Sequence, residues 1–175
     1  MELSTAVRLI KSGVNQTRLS QTWADLGAGS GLFTKALTSL IPSGIIYAID
    51  RDLAAMRDIG STDSIEVQKI NKNFTDKELG IPSCDGILMA NSLHYVKDQA
   101  SFITQIKQKV KPEGVMLILE YDSNSANPWV PYPIPCSALK SIMLNAGFAS
   151  VENIGEEPSV FNKSVIYSAL IKPFE

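Results

Sequence analysis

The sequence predicts an α/β protein: a three-layer α/β/α sandwich around a seven-stranded, mostly parallel sheet whose last strand runs antiparallel. Three observations predict it. Short β-branched or continuously apolar runs alternate with segments of helical period, which is the pattern of a parallel sheet covered by helices on both faces. The two closing runs have no helix between them, so they pair as an antiparallel hairpin. The composition is that of an ordinary globular chain, with 45% apolar and 19% charged residues over 175 positions, enough to bury a core in one domain, 1–175.

The elements follow in order. Residues 22–26 form a strand that ends in glycines. Leu32, Phe33, Ala36, Leu37 and Leu40 recur at helical spacing until Pro42 and Gly44 stop them. Residues 45–49 are an apolar run suited to a strand buried on both faces, and 53–59 a short helix ended by Gly60. Strands follow at 65–70 and 86–90. Phe102, Ile103, Ile106 and Val110 stripe the next helix, which the turn 111–114 closes before the fully apolar strand 115–119. Leu139, Ile142, Met143 and Ala146 stripe the last helix, with Ser137 as its N-cap and Gly147 at C′. Strands 148–154 and 164–171 end the chain.

Composition also excludes. The net charge of −2 and pI near 5.5 give no basic field for nucleic acid or an anionic membrane. No apolar run approaches the ~20 residues of a spanning helix, and the first residues lack the pattern of a secretory leader. Two separated cysteines and a single histidine argue against a metal site or a disulfide framework. Free thiols suit a reducing compartment, so the expected location is the cytoplasm.

In a doubly wound sheet, ligands bind outside the carboxyl ends of the strands, where the strand order reverses. There the sequence places Asp25-Leu26-Gly27-Ala28-Gly29-Ser30-Gly31. Glycines let the backbone turn sharply and let a ligand approach without a Cβ in the way. A tight turn needs no ligand, so the neighbours decide. A dinucleotide fingerprint is G-x-G-x-x-G; here the spacing is G-x-G-x-G, with Leu32 in the place of the third dinucleotide glycine. Asp25 is awkward beside a pyrophosphate but suits a ligand ammonium group. Asp50, at the end of the second strand, can accept both hydroxyls of a ribose; its alternative reading is an N-cap for the next helix.

These residues carry a family resemblance. The turn and the strand Ile46-Tyr47-Ala48-Ile49-Asp50 resemble the first motif and the following acidic strand of class I S-adenosylmethionine-dependent methyltransferases. Residues 84–96 (CDGILMANSLHYV) look like the fourth-strand motif of the small-molecule and quinone-methylating branch, and 111–118 (KPEGVMLI) are similar to its "KPGG" turn and fifth strand. The resemblance implies a Rossmann-like fold and S-adenosylmethionine as cofactor. It implies that Asp25 and the backbone of Gly27, Ala28, Gly29 and Gly31 hold the methionine part, that Asp50 takes the ribose, and that Arg51 lies against the adenine. Asn73 stands where the family usually has an acidic residue at the adenine amine, and its side-chain carbonyl can accept that bond. Phe74 offers its backbone N–H, and Asn91 lines the methionine end.

On the acceptor side, a sulfonium donor leaves the protein to position the acceptor, exclude water and remove a proton. His94 is the candidate proton acceptor, because imidazole ordinarily titrates near neutrality; the alternative is a packing histidine. Tyr95 and Tyr121 are alternatives for orienting the acceptor. The segment 127–135 carries four prolines with Trp129 and Tyr132; the aromatics either wall an acceptor pocket or plug the core beneath a stiff connection. No Asn-Pro-Pro-Tyr follows the fourth strand, against amino-methylation of DNA bases or glutamine. The expected partner is a small-molecule acceptor, with no nucleic acid and no membrane, and the protein is a monomer or a homodimer. Two other readings stay open: a nicotinamide-dependent oxidoreductase, and a non-catalytic S-adenosylmethionine-binding interaction protein.

Overall fold

The computed structural model describes residues 1–159 and 164–173. Strands β1 (Gln21–Leu26), β2 (Gly44–Asp50), β3 (Ile65–Asn71), β4 (Cys84–Ala90), β5 (Val110–Tyr121), β6 (Ser150–Pro158) and β7 (Val165–Lys172) form one sheet in the order β3-β2-β1-β4-β5-β7-β6. All neighbours pair parallel except β7, which runs antiparallel to both β5 and β6. The fold class read from the sequence is the one observed.

Period-two alternation assigns each strand residue to one of two cores. Trp23, Ile46, Leu88, Leu117 and Leu119 point to the face covered by helices α1 (Leu3–Ile10) and α2 (Leu32–Thr38). Ala24, Ile87, Met89, Met116 and Ile118 point to the face covered by α3 (Gln99–Lys107) and α4 (Cys136–Asn145). No helix of the described residues is long and apolar enough to cross a membrane.

Four departures have physical reasons. Helix α1 was not anticipated: Glu2 gives it no side-chain cap, and it is held by burying Ala6, Leu9 and Ile10 against α2 and the sheet. The helix expected at 53–59 is a single 3₁₀ turn, Ala55–Asp58, because Met56 and Ile59 are buried while Leu53 stays half exposed. The expected turn at 111–114 lies within β5 as a bulge: Cys84 pairs with Val110 and Gly86 with Val115, so the intervening residues face Asp85 alone. Helix α4 starts at Cys136, with Pro135 rather than Ser137 in the N-cap place. Gly147, at φ +78°, ends it as expected.

The centre of the sheet depends on one close approach. A Cβ on Gly86 of β4 would be driven into the ring of Trp23 on β1, which is buried and donates Nε1–H to Gln21 Oε1 at 3.0 Å. Gly86→Ala is therefore expected to cost about 3 kcal/mol through overpacking, read as a fall in the denaturant midpoint at constant slope. An unchanged midpoint would show that Trp23 can withdraw.

Candidate active site

Strand order reverses between β1 and β4. Outside their carboxyl ends lies a cleft of about 670 Å³, within the range of pockets for cofactors and small ligands. Asp25 forms its floor; Gly27, Ala28 and Gly29 follow from the turn after β1, Asp50 and Arg51 from the end of β2, Asn73 and Phe74 from the loop after β3, and Asn91 from the end of β4. Nine of the ten residues expected at a cofactor site thus line one cleft. The tenth, Gly31, does not.

The glycines divide by function. A Cβ on Gly31, at φ +79°, would collide with Ile59, so this glycine lets the turn after β2 close down on the loop. A Cβ on Gly27 would come within 2.6 Å of Ser92 Cβ. Gly29, at φ +51°, has nothing within 4 Å of where a Cβ would stand. It is the open position of the cradle, where a ligand can meet bare backbone.

The two carboxylates differ in environment. Asp25 is 1% exposed and its Oδ2 accepts the Thr34 hydroxyl at 2.6 Å. Burial pushes its pKa up from the ordinary 3.8 to about 6, against the Thr34 hydrogen bond, with Asp50 adding to the rise. Asp50 is half-buried and organises the backbone: Oδ2 accepts Gly29 N–H at 2.8 Å and Oδ1 accepts Asp52 N–H at 2.9 Å. Asp50 does not cap the turn that follows β2, where Ala54 stands in the N-cap place without a side-chain cap. Each oxygen keeps a second lone pair.

Asn73 departs from expectation. Its Oδ1 already accepts from Thr75 N–H at 3.1 Å and Thr75 Oγ1 at 2.9 Å. Both lone pairs are used, which leaves the amide N–H₂ as the group it can offer. Phe74 brings its ring as well as its backbone: it stands edge-on to Phe102, with centroids 5.9 Å apart, and borders Gly27. Asn91 sits at φ +53°, an uncommon conformation for a residue other than glycine. Its backbone N–H donates to Leu119 O at 2.8 Å, while its buried Oδ1 has no partner.

His94 is not brought to the cleft. It is 2% exposed and stands beside Glu120 at the end of β5, which is 1% exposed. Its backbone N–H donates to Glu120 Oε1 at 3.1 Å, and Nδ1 lies 2.7 Å from Oε2. Its ring is 4.4 Å from that of Tyr95 and 6.1 Å from that of Tyr121. The imidazole expected to act as proton acceptor is enclosed by these neighbours, and Tyr95 is the residue of this turn that lines the cleft. Glu120 was not anticipated, because it reads as the polar end of an apolar strand and its partner lies 26 residues away.

Segment 127–135 also differs from both of its readings. Asn127 and Val130 exchange backbone hydrogen bonds at 3.1 Å, and Asn127 Oδ1 accepts from Trp129 N–H and Val130 N–H. This tight turn leaves Trp129 76% exposed, and the residues that plug the core are Val130 and Ile134. Neither Trp129 nor Tyr132 lines the cleft.

A glycine cradle open at Gly29 is thus flanked by a buried and a half-buried carboxylate at the reversal of strand order. The family model described as "methyltransferase domain" matches residues 6–154. The chain belongs to this methyltransferase family. No curated protein matches the sequence. Among solved structures, this methyltransferase domain is similar to human N-acetylserotonin methyltransferase in complex with S-adenosylmethionine (TM-score 0.69, 19% identity, 98% of this chain and 52% of that one). It is also similar to the YcgJ protein of Bacillus subtilis (TM-score 0.70, 12% identity, 97% and 98%). A third is an S-adenosylmethionine-dependent methyltransferase of Aquifex aeolicus (TM-score 0.64, 19% identity, 98% and 99%). The domain spans about half the length of the human structure; at these identities the likeness is one of fold.

Proposed function

We propose that the protein transfers a methyl group from S-adenosylmethionine to a small-molecule acceptor. The observation that carries this reading is the cleft itself. Its bare backbone at Gly29, its two carboxylates and its unpartnered Asn91 Oδ1 fit a ligand with an ammonium group, a ribose and an adenine. When bound, the cofactor supplies a methyl group already activated on a sulfonium. Binding falls to Asp25 for the ammonium group, Asp50 for the ribose hydroxyls, and the Arg51 and Phe74 side for the adenine. Asn73 meets the adenine with its amide N–H₂ rather than its carbonyl. Asn91 marks the methionine end, where transfer takes place. Tyr95 forms the wall on the acceptor side, and His94 with Glu120 supports it from beneath.

The nicotinamide alternative lacks support at the turn. A pyrophosphate would have to lie beside Asp25, with no cation from the turn to offset it. S-adenosylhomocysteine is therefore expected to raise the melting temperature and NAD to leave it unchanged. A ligand at a hundredfold excess over its Kd adds ~2.7 kcal/mol to the apparent stability. A shift with NAD and none with S-adenosylhomocysteine would overturn the proposal.

A further inference from the structure

The loop after β3 carries a pair of side chains whose polarity is set by one backbone group. Asn73 O accepts Asp76 N–H at 2.9 Å and closes a turn over residues 73–76. Within it, the Asn73 side chain meets Thr75 N–H at 3.1 Å and Thr75 Oγ1 at 2.9 Å through the same atom. A backbone N–H only donates, so that atom is the carbonyl oxygen and not the amide nitrogen. A carbonyl oxygen only accepts, so the Thr75 hydroxyl spends its proton on it.

Two groups of the pair are left for a ligand. Asn73 keeps its amide N–H₂, which donates to no other of the described residues. Thr75 Oγ1, its proton engaged, keeps only lone pairs and faces a ligand as an acceptor. Both residues are exposed and both line the cleft. A neutral donor beside a neutral acceptor complements adenine, whose exocyclic N6–H₂ donates next to ring nitrogens that accept. A base with an oxo group in place of that amine would meet Thr75 Oγ1 lone pair to lone pair.

We infer that Thr75 recognises the exocyclic amine of the cofactor's adenine, and that Asn73 acts as the positioning residue that makes the Thr75 hydroxyl an acceptor. The inference rests on the cofactor reading above for the presence of an adenine at this loop. The choice of Thr75 rests on the hydrogen bonds of the loop alone. The two side chains carry no charge, so recognition here depends on the direction of each hydrogen bond and not on ion pairing.

The test compares S-adenosylhomocysteine with S-inosylhomocysteine, which carries the oxo group, by calorimetry on the full chain. The wild type is expected to bind the adenosyl ligand at least about tenfold more tightly, a modest ratio because the loop is exposed. Thr75→Val removes the hydroxyl and keeps the shape. It is expected to weaken the adenosyl ligand about tenfold and to change the inosyl ligand by less than about threefold, erasing the preference. Thr75→Ser, which keeps the hydroxyl, is expected to retain it. Equal weakening of both ligands by Thr75→Val is the mark of a loosened loop and overturns the inference. So does equal binding of both ligands by the wild type. A preference unchanged in Thr75→Val also overturns it, and would pass the amine to Asp52, the exposed cleft residue whose Oδ1 accepts Ala55 N–H at 3.1 Å. Binding of neither ligand would remove the cofactor reading and this inference with it, whereas the other adverse results leave the cofactor reading standing.

Discussion

Asp25→Asn is expected to make the protein more stable and less able to bind its cofactor. In the folded protein the Asp25 carboxyl titrates at about 6 rather than 3.8, chiefly because it is buried. A pKa raised by folding means that the native state holds the proton more tightly than the unfolded chain does. The associated stability is complete below the unfolded value and is lost as pH rises through about 6. At pH 7.5 the folded protein therefore carries a cost on the order of 3 kcal/mol for an ionised group on the cleft floor. Asparagine keeps an acceptor for the Thr34 hydroxyl and removes the charge, so a gain of about 1–3 kcal/mol is expected, a rise of several degrees in melting temperature for a chain of this size. Cofactor affinity should fall by roughly 10–100-fold, because a charge-assisted hydrogen bond to an ammonium group is lost. In the wild type the same chemistry predicts that affinity declines about tenfold per pH unit below the Asp25 pKa, with proton release on binding near that pH. Calorimetry in buffers of differing ionisation enthalpy measures both. Unchanged affinity in the variant, or binding indifferent to pH between 5 and 7, would mean that Asp25 does not meet the cation.

The difference between what was legible in the sequence and what was not follows the range of the interactions. Strand β2 and the second half of β5 announce themselves because a strand buried on both faces is apolar throughout. The cofactor cradle announces itself because its glycines and acids are local to two strand ends. Spacing alone could not say that Gly31 is a packing glycine and Gly29 the open one, since that depends on Ile59 approaching from another loop. Helix α1 left a stripe at Ala6, Leu9 and Ile10, but without a capping side chain it depends on tertiary burial for its stability. The Asn73 carbonyl was lost to a hydroxyl two residues on, an Asx-type turn that Asn-x-Thr permits but does not require. A second cavity, of about 440 Å³ and bordered by Thr5, Tyr121 and Ile166, had no signature at all. Thr5 and Ile166 border one cavity because β7 enters the sheet between β5 and β6, and no local pattern encodes that.

The buried pair His94 and Glu120 is the point on which sequence and structure differ most, and it yields the second large expected effect. His94→Leu removes the Nδ1 donor and leaves the Glu120 carboxylate buried, with only the backbone N–H of residue 94 still aimed at it. Breaking one side of such a pair commonly costs 3–5 kcal/mol, so a fall in melting temperature on the order of 10 °C is expected. His94→Leu with Glu120→Leu should recover much of that loss, because two apolar side chains leave no unpaired charge behind. Stability alone does not separate support from catalysis. His94→Asn does, because its side-chain amide can reach Glu120 much as Nδ1 does but cannot take up a proton from an acceptor. With His94 as a positioning residue for Tyr95, the asparagine variant should keep near-wild-type stability, S-adenosylhomocysteine affinity and pH–rate profile, and lose less than about tenfold in turnover of labelled cofactor across an acceptor library. The leucine variant should lose both stability and affinity, since Tyr95 lines the cofactor cleft and rests on the His94 ring. A loss of 10²–10⁴-fold in the asparagine variant at unchanged stability is the magnitude of a missing general base. That result would return His94 to the reacting centre, and Tyr95 would then be the side chain that must swing aside to admit the acceptor to it.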